Sequence, residues 1–399
     1  MDWSLQNYKS YINHPRGVGA LPTPSLTLSL PILKRNIAAV HQDVEKLGIG
    51  FRPHVKTLKC LEVTRMMLDN GKYRGIIAST LTEIRGVLPL VKEGLLDECV
   101  YGIPFYPGVL PQLLDLRKQV KIILMIDNEQ QITLLEQQTP QSERPWDVFV
   151  KLDVGSHRAG VRSHSEALRD LVRAASSSPR AVSVYGFYCH AGHSYGGRTR
   201  EQAEETLQVE IDSVLDAAKL LSSSDNKNLV VSIGSTPTAH VIASMKATIP
   251  NNVKLELHAG NFPVHDLQQV STGVIRDEDQ AALLRAQVCS VYPERNEALI
   301  NAGAVAISRE TGGGFSGFGR VAGQPGWGVV RMSQEHGILG LDDDDGGAPG
   351  ERVEDRFRVG QDVSLRVNHV CITAAAFYVY YVLDGDDKVV DAWVPWKGW

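Results

Sequence analysis

Residues 25–57 read SLTLSLPILKRNIAAVHQDVEKLGIGFRPHVKT, and their periodicity sets the fold class. A short apolar run at 25–30 gives way to a stretch of helical period at 33–47, and a second run follows at 51–56. Strand, helix and strand in that order are the repeating unit of a parallel sheet. Working outward, the same alternation predicts strands at 75–79, 98–103, 122–126, 146–153, 182–189, 229–234 and 254–259, most of them separated by helix-length segments. Eight or nine strands in ~240 residues fit a (β/α)8 TIM-type barrel, which typically occupies ~250 residues. A nine-strand doubly wound sheet has the same periodicity, so that alternative stays open.

Past Gln280 the texture changes. Short β-type runs at 286–291, 297–308, 328–332, 363–367 and 374–383 lie without long helices between them, which predicts an all-β domain. The expected organisation is an N-terminal segment at 1–24 packing with the β-domain, a barrel at 25–280 and a C-terminal β-domain at 281–399. The piece 341–350, four aspartates followed by Gly-Gly-Ala-Pro-Gly, cannot bury much apolar surface and is expected to be the least ordered.

With 399 residues the chain suits one large domain and a smaller one. A formal net charge of −5, with both signs interspersed, offers no basic footprint for nucleic acid or an anionic membrane. No stretch approaches the ~18 consecutive apolar residues of a membrane span. A small-molecule partner is therefore expected. Residues 1–13 lack the apolar core of a secretory signal, and the five cysteines, Cys60, Cys99, Cys189, Cys289 and Cys371, are too few and scattered for a disulfide framework. Both features point to a cytoplasmic protein.

Lys56 falls at the carboxyl end of the run 51–56, where barrel active sites form. A lysine packed in a barrel mouth is desolvated, its ammonium is disfavoured, and the neutral amine can attack an aldehyde. The alternative is a solvated lysine after a strand. Ser232–Thr238 (SIGSTPT) and His258–Asn261 (HAGN) each supply small residues, amides and hydroxyls where a strand gives way to a turn, a setting that can take a phosphate. Taken alone, either is equally well an ordinary turn. KLDVGSHRAG at 151–160 puts Arg158 just past a strand end, and YGFYCHAGHSY at 185–195 puts Tyr188 and Tyr195 at or past the next.

RPHVKT at 52–57, DVGSHRAG at 153–160, GSTPT at 234–238, HAGN at 258–261 and NHVC at 368–371 together resemble the eukaryotic D-serine dehydratases and the related D-threonine aldolases. These are fold-type III pyridoxal-phosphate enzymes with the alanine racemase architecture. The resemblance covers nearly the whole chain, including QEHG at 334–337 and the terminal WKGW. It implies that Lys56 holds pyridoxal 5'-phosphate as a Schiff base. It further implies that Gly234, Ser235, Thr236, Gly260 and Asn261 hold the phosphate, that Arg158 approaches the phenolic oxygen, and that Tyr195 and Tyr188 contact the ring or phosphate. For Tyr188, wall packing with a satisfied hydroxyl is an equal reading.

His369 and Cys371 match the metal pair of the dehydratases. They are two apart in a segment expected to be a strand, so their side chains would point to one face. Imidazole and thiolate suit zinc, and only two protein ligands leave positions open for water or substrate. Mn2+ or Mg2+ would replace zinc in an aldolase. Glu335 and His336 lie in the same domain as candidates for supporting the metal or moving a proton, or for a structural role.

The implied reaction is loss of the β-hydroxyl of D-serine, giving pyruvate and ammonia. The closest rival is retro-aldol cleavage to glycine and an aldehyde. A biosynthetic enzyme acting on an α-substituted serine, a racemase and a non-catalytic cofactor-binding protein complete the alternatives. The last lacks the β-domain as a rule, and a racemase has no use for a metal. The resemblance also implies a homodimer in which the barrel of one subunit meets the β-domain of the other.

Overall fold

The structure is a computed structural model that describes residues 7–140, 142–221, 229–341 and 350–399. The chain divides into two compact units. One comprises the chain up to Ala38 together with Asn261–Lys397, and the other comprises Ala39–Gly260 and the last two residues. In chain order the first ten strands are β1 (Ser25–Ser29), β2 (Gly50–Pro53), β3 (Gly75–Ala78), β4 (Glu98–Pro104), β5 (Lys121–Ile126), β6 (Trp146–Asp153), β7 (Val161–Arg162), β8 (Val182–Cys189), β9 (Leu229–Ile233) and β10 (Val253–Ala259).

β2 to β10 form a parallel sheet in the order β2-β10-β9-β8-β6-β5-β4-β3, with the short β7 beside β6. Its ends meet. His54 bridges to Ile77, and the Val55 N–H donates to the Ile77 carbonyl at 3.0 Å. The result is a closed eight-stranded barrel, which decides against an open doubly wound sheet. Helices cover it as their periodicity demands. In Glu166–Ser177 the apolar positions Leu168, Leu171, Val172 and Ala175 are buried, and Ser165 starts the helix by accepting the Leu168 N–H.

The barrel interior is layered. Ile77, Val100, Ile123, Met125, Phe149, Tyr188 and Val230 fill the middle. Toward the amino-terminal strand ends lies a charged layer in which buried Arg52 donates to Glu256 at 2.7 Å and to Glu98 at 2.5 Å. Lys121 lies 3.3 Å from Glu98 and 3.4 Å from Asp147, and the Tyr185 hydroxyl donates to Glu98 at 2.9 Å.

The other unit holds β11 (Ala282–Tyr292), β12 (Glu297–Ile300), β13 (Gly319–Val321), β14 (Trp327–Met332), β15 (Gly337–Leu341), β16 (Asp362–Val367), β17 (Tyr380–Leu383) and β18 (Val389–Trp393). The order β12-β15-β14-β13-β16-β11 closes on itself through β11–β12 pairing, and β1, β17 and β18 extend the sheet past β11. The closed part is an antiparallel β-barrel. Tyr8, Tyr11, Val18 and Leu21 pack on Val379, Tyr381, Leu383 and Val389 of this unit.

Three expectations are corrected here. The run at 25–30, expected as a barrel strand, becomes β1 of the antiparallel sheet, with Leu26 opposite Leu284 and beside Tyr380. Its partners lie more than 250 residues away along the chain, and periodicity carries no information about which distant strand completes a ladder. The expected strands at 297–308 and 374–383 are shorter, because helices at Ala304–Ile307 and Val370–Ala376 interrupt them. Residues 342–349 of the piece expected to be least ordered lie outside the described residues. Among the described residues, no helix is long and apolar enough to cross a membrane.

Candidate active site

The carboxyl ends of β2, β6, β8, β9 and β10 bring most of the expected residues to one end of the barrel. Lys56 follows β2, half-buried, and its backbone N–H donates to His54 Nδ1 at 3.2 Å. The other imidazole nitrogen of His54 lies 3.1 Å from the Ser79 hydroxyl. Arg158 is exposed on a loop whose shape is fixed by Asp153. One Asp153 oxygen accepts the N–H groups of Gly155 and His157, both at 3.0 Å. Gly160 closes that loop with φ of 107° and donates to Asp127 at 2.9 Å, and a Cβ there would meet the Leu152 backbone at 2.6 Å. Only glycine suits that position.

Gly234 has φ of 143°, and a Cβ on it would stand 2.0 Å from the His258 carbonyl. The turn that follows is tied by Ser235, whose N–H donates to the Thr238 hydroxyl at 2.9 Å and whose own hydroxyl lies 2.8 Å from that of Ser194. The Thr236 N–H points at the Tyr195 hydroxyl at 3.5 Å. Gly260, at the end of β10, would bring a Cβ to 3.3 Å from His54 Cβ. Gly234, Ser235, Thr236 and Tyr195 are therefore neighbours, and Gly260 lies beside the β2 end. Asn261 falls in the other unit, where its amide donates to Asp266 at 2.7 Å.

Tyr188 belongs to the packed barrel interior. Its ring stacks on His258 with centroids 4.2 Å apart and planes 9° from parallel, and burial pushes its hydroxyl well above the usual range.

Sequence reasoning passed over three residues here. Lys151 on β6 is 5% exposed, with its amine 4.7 Å over the Tyr188 ring and, among the described residues, no carboxylate paired with it. Burial, with Arg158 and Lys56 nearby, lowers it to about 8. His258 is buried, with Nδ1 3.0 Å from the Ser232 hydroxyl and Nε2 without a hydrogen-bond partner among the described residues. His190 Nδ1 lies 2.8 Å from the Gly234 carbonyl. Burial and then neighbouring cations or imidazoles hold His54, His190 and His258 well below the usual histidine range, so all three are neutral at pH 7. Each stood in a segment already singled out. An inward position two residues from another inward position on a strand was the signal available.

With Lys56, Lys151 and Arg158 clustered and a buried imidazole nitrogen unpartnered, the donor set fits an anionic aldehyde. Lysine supplies the nucleophile, and the Ser235–Thr236 turn supplies amides and hydroxyls.

In the other unit His369 and Cys371 are not on a strand. β16 ends at Val367, the buried Asp266 carboxylate accepts the Val370 N–H at 3.0 Å, and the helix Val370–Ala376 begins there. Its run of alanines favours helix over strand. His369 is thus the residue before the helix, and Cys371 lies in the first turn. The two still meet, since their side chains hydrogen-bond. Burial works to lower His369, but that bond and the nearby Cys371, Asp266 and Glu310 charges outweigh it and raise it to about 9. Glu310 lies 3.7 Å from His369 Nδ1. Among the described residues no group of three or more His, Cys, Asp or Glu side chains is arranged for a metal. An imidazole with a thiol fits zinc by donor chemistry and leaves the remaining positions to non-protein ligands. Glu335 and His336 occupy the exposed turn between β14 and β15.

Two family models match the chain: "Alanine racemase, N-terminal domain" over residues 28–249 and "Putative serine dehydratase domain" over residues 281–383. The chain is 40% identical to the D-serine dehydratase of Schizosaccharomyces pombe, over 98% of this chain and 95% of that protein. It is similar to the structure of D-threo-3-hydroxyaspartate dehydratase from Delftia sp. HT23, with a TM-score of 0.84 and 30% identity over 96% of this chain and 100% of that one. A variant of the same enzyme in a metal-free form gives a TM-score of 0.85 at 29% identity over 96% and 100% of the two chains. The alanine racemase of Clostridium difficile 630, at 12% identity and a TM-score of 0.63 over 94% and 98% of the two chains, shares the fold.

Proposed function

The chain belongs to the D-serine dehydratase family of alanine racemase-like enzymes, and on that premise we propose that it is a pyridoxal-phosphate-dependent lyase that dehydrates D-serine to pyruvate and ammonia. The observation that carries this reading is the 40% identity to a D-serine dehydratase over 98% of the chain. The electropositive barrel end supports it, because its lysines, arginine and tied turn suit an anionic aldehyde.

In this reading Lys56 holds the cofactor covalently. Gly234, Ser235, Thr236, Gly260 and Asn261 hold its phosphate, Arg158 orients its phenolic oxygen, Tyr195 reaches the phosphate end, and Tyr188 backs the ring from the barrel interior. When bound, pyridoxal phosphate supplies an electron sink that acidifies the substrate α-carbon. Displaced from the cofactor by the substrate amine, the Lys56 amine would then be free to act as the base that takes the α-proton. His369 and Cys371 would hold a zinc ion, which would supply Lewis acidity for loss of the β-hydroxyl.

A homodimer and a cytoplasmic location complete the proposal. No disulfide joins any of the five cysteines among the described residues, in keeping with a reducing compartment. An active monomer in sedimentation at assay concentration would remove the dimer.

The deciding experiment incubates cofactor- and zinc-loaded protein separately with D-serine, L-serine and D-threonine and identifies the products. Pyruvate from D-serine alone among the serines is expected. Glycine with acetaldehyde from D-threonine, and no keto acid from either D-amino acid, would replace dehydration by aldol cleavage.

A further inference from the structure

The helix Arg200–Ala218 covers the outside of β8 and β9, and its inward stripe runs Ala203, Leu207, Glu210, Val214 and Ala217. That spacing is the core face of a helix, and four of its five residues are apolar. Glu210 is the exception, with no exposed surface. No lysine, arginine or histidine pairs with it among the described residues. A carboxylate without a cation in such a place opposes folding unless its oxygens are used.

One of them is used twice. Glu210 Oε1 accepts the Ala191 N–H and the Gly234 N–H, both at 3.1 Å. Pairing between β8 and β9 stops at Tyr188 and Ser232, so both amides lie just beyond the last rung of the ladder. Two further links join the same loops: His190 Nδ1 to the Gly234 carbonyl, and the Ser194 hydroxyl to the Ser235 hydroxyl. The loop after β8 carries Tyr195, and the loop after β9 carries Ser235 and Thr236. Their alignment brings the Thr236 N–H to the Tyr195 hydroxyl.

We infer that Glu210 is a positioning residue for the cofactor phosphate: from outside the barrel its single oxygen fixes the two loops whose amides and hydroxyls receive that group. The inference rests on the phosphate reading of Ser235 and Thr236. A leucine would complete the apolar stripe but leave both amides unsatisfied. A glutamine would keep a carbonyl oxygen at the same reach. Burial raises the carboxyl to about 7, against the pull of the Thr238 hydroxyl and then of the two amides, so an uncharged form is accessible and the accepting oxygen is what the site uses.

The test compares dissociation constants for pyridoxal phosphate and for pyridoxal, which lacks the phosphate, by equilibrium dialysis of wild-type protein, Glu210→Gln, Glu210→Asp and Glu210→Ala. Glu210→Gln is expected to bind pyridoxal phosphate within threefold of wild type. Glu210→Ala and Glu210→Asp, the latter one methylene too short to reach both amides, are expected to lose tenfold or more for pyridoxal phosphate and less than threefold for pyridoxal. If Glu210→Ala does not fold, Glu210→Asp and Ser194→Ala carry the test, with a selective loss for pyridoxal phosphate expected in each. Equal losses for the two ligands, or no loss in Glu210→Asp, would overturn the positioning role. A wild-type protein that binds both ligands equally would instead remove the phosphate reading itself.

Discussion

The two ends of the parallel barrel treat buried charge in opposite ways. At the amino-terminal strand ends Arg52 sits between Glu256 and Glu98, and Lys121 bridges Glu98 and Asp147. At the carboxyl-terminal ends Lys151 is buried over an aromatic ring with no carboxylate partner among the described residues, beside three histidines kept neutral by burial. Paired charge is what a barrel can bury for its own stability. Among the described residues, a buried ammonium with no carboxylate and a buried imidazole nitrogen with no hydrogen-bond partner mark a place suited to a bound group.

The sharpest way to break this contrast is Lys56→Ala. If the carboxyl end is the reaction site, kcat falls at least ~1000-fold, as loss of a general base that also anchors the cofactor demands. The absorbance of lysine-bound pyridoxal phosphate should disappear as well. Retained absorbance would mean that another lysine, Lys151 first, holds the cofactor.

Cys371→Ala asks whether the β-domain pair belongs to the chemistry. Elimination is expected to drop ~100-fold, since a Lewis acid contributes several kcal/mol as hydroxide leaves. The cofactor absorbance should be unchanged, because His369 and Cys371 stand on segments apart from Lys56. Full activity in a Cys371→Ala protein shown to be metal-free would return this cysteine to a structural role.

Arg52→Ala probes the opposite end. Removing one partner of a buried ion network costs ~3–5 kcal/mol, read as a lower midpoint in urea. Turnover per folded molecule should stay within about twofold.

Lys151→Met carries the smallest effect and the opposite sign. Burial lowers Lys151 from 10.5 to about 8, so below pH 8 the cofactor-free fold bears the full cost of a buried ammonium, about 3 kcal/mol. That cost fades as pH rises from 8 to 10.5 and the unfolded chain loses the same proton. Lys151→Met should therefore raise the Tm of cofactor-free protein at pH 7 and lose its advantage by pH 10.5. A destabilised Lys151→Met at pH 7 would show that the two ends are alike.

Much of the candidate site was legible because barrel chemistry gathers at strand ends, and strand ends are marked by local sequence. Lys56, Gly234, Ser235 and Gly260 each stand where an apolar run stops, and backbone geometry alone selects glycine at 234. Lys151, His190 and His258 were visible as letters and silent as chemistry. Alternation along a strand says which side chains share a face, but not whether a polar one is solvated, paired or orphaned. Glu210 was further out of reach, since a glutamate in an amphipathic helix reads as surface until the helix is placed on its barrel.

By itself the sequence separated a β/α part from an all-β part and marked most strand ends and the segments proposed to carry chemistry, because periodicity, turn composition and helix signals are local in the chain; that the parallel sheet closes through His54 and Ile77 was left to the tertiary structure. Tertiary structure alone decided that β1 joins the antiparallel sheet, that His369 precedes a helix started by Asp266, and that one end of the barrel pairs its charges while the other does not. Each of those outcomes is fixed by a partner tens to hundreds of residues away. A hydrogen bond or a desolvation cost exists only once folding has brought the two together.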